Sequence, residues 1–246
     1  MFVSADFLSM HYGIKDDIAK FFADREPPKN NLYWKDKLMY LRPQPGYLLI
    51  PIIVDLMHRS GVAKEILLSD NFLKVMETIL HYSAEEEFGV SDEEDAIKKS
   101  FQFVTGKSSD NNFLVDIRDY LSGGDNWLRK ASAPYSALQR GDLFLFVIAA
   151  LRLSNEQRDR ILKLWFALIS TLLLLDDMED IVEDQKKGDH NAFIECGLNQ
   201  QGFDNLKQLL SHNLAVLKQV NFSLANTLHN KFQKVKDLPI VSEFQI

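Results

Sequence analysis

The sequence contains very little cysteine and no segment typical of a leader or a membrane anchor. Its single cysteine, Cys196, excludes an internal disulfide and fits a reducing compartment, so we expect a cytoplasmic protein. The N-terminus lacks a basic stretch followed by an apolar core, so no signal peptide is predicted. The longest apolar stretch, residues 164–175, has twelve residues, fewer than the roughly 20 that span a bilayer. It predicts a buried helix and no transmembrane segment.

Acidic residues outnumber basic ones, giving a net charge of −7, and the sequence lacks a basic stripe. This composition argues against nucleic acid as a partner. The sequence has no Gly-rich phosphate loop, serine triad or cysteine-based zinc pattern, which excludes the common enzymes that use them. No linker rich in Pro, Gly or Ser and no fixed-period repeat is evident, so residues 1–246 are predicted to form a single domain.

Helical periodicity is abundant, whereas the alternation typical of strands is rare. Hydrophobic residues make up 46% of the chain and include 17 Phe, enough for a large core. The pattern predicts an all-α bundle of about ten helices. They are expected at residues 6–24, 32–41, 47–59, 70–88, 96–104, 112–121, 127–138, 142–153 and 155–184, with one or two more within 203–236.

An acidic run, residues 176–184, follows directly on four leucines in the predicted long helix. At about 100° per residue, its carboxylates fall within an arc of roughly 120° that also holds apolar residues upstream. Like charges at this spacing destabilise a helix by about 0.2–0.5 kcal/mol per pair, and a divalent cation would relieve the repulsion. The run therefore indicates a metal-lined mouth of an apolar cavity. A solvated acidic helix end is the alternative, although acids there oppose the helix macrodipole.

The segment Asp176-Asp177-Met178-Glu179-Asp180 is a DDxxD motif that resembles the second aspartate-rich region of trans-isoprenyl diphosphate synthases. Its continuation through Gly188 to Asn191 is similar to the EDxxxGxxN tail of that family. Arg42-Pro43 is similar to the family's early RP motif, and Lys130-Ala131 stands where the family has a diphosphate-contacting Lys-Thr pair. These four points span about residues 37 to 191, most of the chain.

The resemblance implies the class I isoprenoid synthase fold, a helical bundle around a central apolar cavity, with Mg²⁺ as cofactor. It implies metal binding by Asp176, Asp177, Asp180 and Asp184. Lys130 and Arg42 would be catalytic and would contact the diphosphate. The substrate-binding set is Arg42, Lys130, Lys186, Lys187, Tyr82, Trp165 and Phe166. Tyr82 would form the cavity floor; core packing explains Trp165 and Phe166 first, and in a cavity their rings would stabilise a carbocation.

The family's first aspartate-rich motif has no close counterpart. Residues 85–95 are acidic but are not DDxxD, so Glu87 with Asp92 or Glu93 could form a longer, glutamate-based metal site. A solvated acidic loop is the alternative. Leu172-Leu173 also replaces the Phe-Gln pair that usually precedes the second motif.

The expected function is magnesium-dependent prenyl transfer, in which an allylic diphosphate ionises and condenses with isopentenyl diphosphate. The expected partners are therefore allylic and homoallylic isoprenoid diphosphates, and a homodimer is usual for the resembled family. Terpene cyclisation is one alternative. A catalytically silent partner subunit is another, and the degenerate first motif favours it.

Overall fold

Thirteen α-helices, and no strands, make up the part of the chain that this computed structural model describes, residues 4–26, 28–32 and 50–238. The predicted all-α class is confirmed. The predicted helix at 32–41 lies almost wholly outside the described residues, as does Arg42. In chain order the helices are α1 (Ala5–Tyr12), α2 (Asp16–Asp24), α3 (Ile50–Arg59), α4 (Lys64–Leu67), α5 (Asp70–Glu87), α6 (Glu93–Val104), α7 (Asn111–Leu121), α8 (Trp127–Ala131), α9 (Leu145–Ala149), α10 (Asn155–Lys187), α11 (Ala192–Glu195), α12 (Gln200–Lys218) and α13 (Phe222–Val235).

The long helix α10 has 33 residues, about 50 Å at 1.5 Å per residue, and both of its ends have clear local causes. Ser154 accepts a hydrogen bond from the Gln157 backbone N–H, and the Gln157 side chain returns one from the Ser154 N–H. This capping box fixes the start of the helix. Gly188 ends it in the left-handed conformation, with φ of 74°, and donates its N–H to the Asp184 carbonyl at 2.8 Å.

The middle of α10 is buried on every side, since residues 164–171 are all buried. The helix packs most extensively on α12, and also on α11, α13, α3 and a 3₁₀ turn at Ser136–Gln139. Ser170 and Thr171 satisfy their hydroxyls within the helix by donating to the carbonyls of Phe166 and Ala167. A helix that is apolar all round is typical of a core element.

The prediction of one helix over residues 6–24 is wrong, because the chain turns between α1 and α2. Gly13 adopts φ of +63°, which favours glycine, and its N–H caps α1 through the Leu8 carbonyl. A Cβ at this position would lie 2.6 Å from Asn221 Oδ1, so the C-terminal half of the molecule approaches the turn closely.

The prediction of long helices at 127–138 and 142–153 is also wrong. Helix α8 ends at Ala131, Ser132 is extended, and Pro134 follows, so the chain continues as 3₁₀ turns at Ser136–Gln139 and Asp142–Phe144. Gly141, between these turns, lies against α10: a Cβ there would be 2.7 Å from Ile169 Cδ1. This close approach places Arg140 beside the C-terminal half of α10.

Among the helices of the described residues, none combines the length and the apolar character that crossing a membrane requires.

Candidate acidic site at the end of the long helix

Asp177 is the buried member of the acidic run, with 1% of its surface exposed. Its Oδ1 pairs with Arg140 Nη2, and its Oδ2 accepts the Ala192 backbone N–H at 2.7 Å. Burial raises the pKa of Asp177 to about 7, although Arg140 and the Ala192 N–H both lower it. Both oxygens of this carboxylate therefore already have protein donors.

The tail after α10 folds back on the acidic helix end. Asn191 Nδ2 donates to Asp184 Oδ2 at 2.8 Å and to the Asp177 carbonyl at 2.7 Å, and Asn191 Oδ1 caps α11. Arg140 Nη1 donates to the His190 carbonyl at 3.0 Å. The EDxxxGxxN tail therefore has a structural role, because its last residue, Asn191, hydrogen-bonds to its second residue, Asp184.

Asp176 and Asp180 lie one turn apart and are more accessible than Asp177. Burial and the neighbouring Asp180 raise the pKa of Asp176 to about 6, while Arg140 and Lys231 lower it. Burial and Asp184 raise the pKa of Asp180. Lys231, on α13, lies 3.5 Å from Glu179 Oε1. Asp176 thus lies within reach of the charges of Arg140 and Lys231, whereas the cation that lowers the pKa of Asp180 is Lys187.

The buried stripe at this end of α10 explains these differences in exposure. Leu174, Asp177, Met178 and Ile181 are buried and share one face. Asp177 belongs to that face, Asp176 and Asp184 lie at its edge, and Asp180 and Glu183 point to solvent. The acidic arc therefore borders the buried face instead of continuing it.

The described residues fit Mg²⁺ only if substrate phosphates supply part of its ligands. In the described ranges no group of three or more His, Cys, Asp or Glu side chains comes together to hold a metal ion. Magnesium is, however, commonly held by one or two carboxylates and substrate phosphates. Asp176 and Asp180 could act in this way, whereas Asp177 would first have to release Arg140.

The acidic residues 85–95 lie at a junction between two helices. Glu87 is the exposed last residue of α5, Asp92 caps α6 by accepting the Asp95 N–H at 2.8 Å, and exposed Glu93 opens α6. Glu85 pairs with Lys99. Acids in the first turn of a helix stabilise it through the macrodipole, so their presence has a local cause. A metal-binding role for Glu87, Asp92 and Glu93 stays a prediction.

The lysines predicted to bind substrate are exposed, and Tyr82, the predicted floor of the cavity, is half-buried. Lys130 is exposed near the end of α8, Lys186 is exposed in the last turn of α10, and Lys187 pairs with Glu183. Tyr82 is half-buried between α5 and α6, its ring 6.3 Å from that of Phe103. Their roles in substrate binding stay predictions.

Trp165 and Phe166 occupy different environments. Trp165 is buried, stacks on Phe144 at 4.6 Å and donates its Nε1–H to Asp142 at 2.9 Å, so it is a core residue. Phe166 lines a pocket of about 230 Å³ between α10 and α12. This pocket is a local cavity beside the long helix.

The sequence did not reveal Arg140 and Lys231, whose charges lower the pKa of Asp176. Arg140 lies 37 residues before its partner Asp177, and no local pattern connects them. Only the packing of the 3₁₀ turns on α10 brings them together.

No family model, no curated protein and no solved structure matches this chain.

Proposed function

We propose that this protein binds an isoprenoid diphosphate through Mg²⁺ at the end of α10 and transfers its prenyl group to isopentenyl diphosphate. The observation that supports this proposal is the closure of the tail on the acidic helix end: Asn191 and Arg140 hold Asp177 and Asp184, and Asp176 and Asp180 remain accessible. The proposal also rests on the resemblance of the DDxxD segment and its tail.

Asp176 and Asp180 are the residues that would hold the cation. Their raised pKa values reflect burial and repulsion from neighbouring carboxylates, Asp180 for Asp176 and Asp184 for Asp180, and a divalent cation would relieve this repulsion. When bound, Mg²⁺ would neutralise charge on the diphosphate leaving group. Asp177 would act indirectly by fixing Arg140.

Arg140 and Lys231 would provide the contacts to the phosphate oxygens. A guanidinium has five N–H donors, more than Arg140 uses on Asp177 and His190, and its side chain is 36% exposed. Lys231 is equally exposed and lowers the pKa of Asp176 through its charge. Both cations are therefore near the carboxylates that would hold the metal.

The test compares a pair of carboxylates, Asp176 and Asp180, with a single control carboxylate on the same helix. Asp176→Asn with Asp180→Asn should weaken Mg²⁺-dependent binding of farnesyl thiolodiphosphate, an unreactive analogue, by about tenfold or more. The same variant should unfold at an equal or higher temperature, because like-charge repulsion is removed. Glu183→Gln removes an exposed carboxylate of the same run and should leave the affinity nearly unchanged. Equal analogue affinity in all three proteins would contradict the proposal.

The reaction is tested by product analysis. The full chain with Mg²⁺, an allylic diphosphate and isopentenyl diphosphate should yield a longer prenyl diphosphate. A cyclic or linear hydrocarbon formed without isopentenyl diphosphate would instead identify a terpene cyclase.

A silent partner subunit is the second candidate function. It is favoured by the local roles of residues 85–95, where Asp92 caps a helix and Glu85 pairs with Lys99. Analogue binding with no product from any allylic diphosphate would favour this role over prenyl transfer.

A further inference from the structure

A second region of the molecule has the features of a small-molecule site. A pocket of about 230 Å³ lies between the end of α8, the middle of α10 and α12. Phe166, Leu209 and Val216 give it an apolar wall. Ser170, which also lines the pocket, is six residues before Asp176 on α10, about 9 Å along the helix axis.

Asn213 is the polar residue of this pocket. It is 5% exposed, and its Nδ2 has no hydrogen-bond partner. Buried donors in folded proteins are nearly always paired, so an unpaired amide that lines a pocket calls for an acceptor from outside the chain. That acceptor is an oxygen atom, either of water or of a ligand.

Among the residues that line the pocket, Lys163 is the one charged at neutral pH. Lys163 and His212 are its ionisable lining residues, both are exposed, and no Asp or Glu contributes to the lining. The chain as a whole carries a net charge of −7, whereas the single charge at this pocket is the positive charge of Lys163. A ligand with an anionic end would complement it.

We propose that this pocket binds a small monocarboxylate with a compact apolar body. One carboxylate oxygen would accept the Asn213 Nδ2–H, Lys163 would face the negative charge, and the apolar body would contact Phe166 and Leu209. A cavity of 150 Å³ accommodates benzene, so this larger pocket suits about nine or ten non-hydrogen atoms. A prenyl diphosphate is far larger, and the inference does not depend on the function proposed above.

The experiment follows ¹⁵N-labelled full-length protein by NMR during titration with sodium benzoate, which has nine non-hydrogen atoms. Benzyl alcohol is the neutral control, and sodium acetate is the control without an apolar body. The Asn213 side-chain amide should shift in a saturable manner with benzoate, with a Kd on the order of 1 mM. Both controls should bind about fivefold more weakly or worse.

Two variants test the assignment of the contacts. Asn213→Leu removes the donor at similar volume and should abolish the preference for benzoate over benzyl alcohol. Lys163→Gln, on the exposed rim, should weaken benzoate alone and does not depend on the core tolerating a substitution. Asn205→Ala, exposed on the same helix α12, should change neither ligand. Equal binding of benzoate and benzyl alcohol by the unmodified protein, or unchanged benzoate binding in both pocket variants, would overturn the proposal.

Discussion

Buried carboxylates show how single residues in this molecule depend on distant donors. Asp142 is 1% exposed and accepts hydrogen bonds from the Tyr120 hydroxyl and from Trp165 Nε1–H. Burial raises the pKa of Asp142 to about 7, although both hydrogen bonds and the charge of Arg129 lower it. The cost of burying the ionised form is therefore larger than the gain from these donors.

Asp142 should make the free energy of unfolding fall as the pH rises. Its folded pKa of about 7 lies above the ordinary value of 3.8, so between these values the folded state binds a proton that the unfolded state has lost. This contribution is present at low pH and disappears as the pH rises through 7. Asp142→Asn should consequently be more stable than the parent at pH 8, by a few kcal/mol. An asparagine can still accept from Trp165 and donate to the Tyr120 oxygen.

Urea denaturation of both proteins at pH 5 and pH 8 measures this difference. Asp176 and Asp177 also have raised pKa values, so the parent keeps some pH dependence from them, and only the difference between the two proteins reports on Asp142. A difference of the same size at both pH values would contradict the prediction.

Helix ends show the clearest contribution of single residues to an element. Gly188 adopts φ of +74°, and a Cβ there would meet no atom within 4 Å. Gly188→Ala should therefore destabilise the protein by about 1 kcal/mol through backbone strain alone. Gly188→Asn should cost less, because asparagine tolerates the left-handed region. Chemical denaturation of the three proteins checks this order, and an alanine variant as stable as the parent would refute it.

Helix boundaries could be predicted where local chemistry determines them. The long helix was predicted from 155 to 184 and runs from Asn155 to Lys187, because Ser154, Gln157 and Gly188 fix its ends. The break at Gly13 was missed although its signal is local, because a glycine in the left-handed conformation ends α1 there.

The candidate site also has some features that the sequence predicts and others that it does not. The acidic run and its tail are visible in the sequence, so Asp176 and Asp184 could be identified. The burial of Asp177 and the exposure of Asp180 could not be predicted, because the upstream helix is apolar all round and does not define a face. Arg140 could not be identified either, since its position depends on the turns that pack on α10.

At the scale of the whole molecule, a hydrogen-bonded cluster joins the two ends of the described chain. Asp55 is fully buried, pairs with Arg59, and accepts the Lys15 N–H at 3.1 Å. Arg59 donates to the Gly13 carbonyl at 2.6 Å, and Asn221 donates to the Tyr12 carbonyl at 2.8 Å. The turn after α1, helix α3 and the start of α13 are thereby held together.

Asn221→Ala should loosen α1 and α13 together. The substitution removes the contact to Tyr12 and the cap that Asn221 Oδ1 gives to α13, at a cost of about 1–3 kcal/mol. Hydrogen exchange should become faster in both helices.

Asn199→Ala is the matched control, because Asn199 caps α12 by accepting the Gly202 N–H and makes no contact to α1. It should leave exchange in α1 unchanged. Slow exchange in α1 of the Asn221 variant would show that this cluster does not hold the helix in place.

The contact between Asn221 and Tyr12 joins residues 209 positions apart, which has a consequence for synthesis of the protein on the ribosome. At about 5–20 residues per second, Asn221 is translated roughly 10–40 s after Tyr12. During that interval the apolar face of α1 has no α13 to pack against. Helix α1 can therefore complete its packing only after α13 has been synthesised and has left the ribosome.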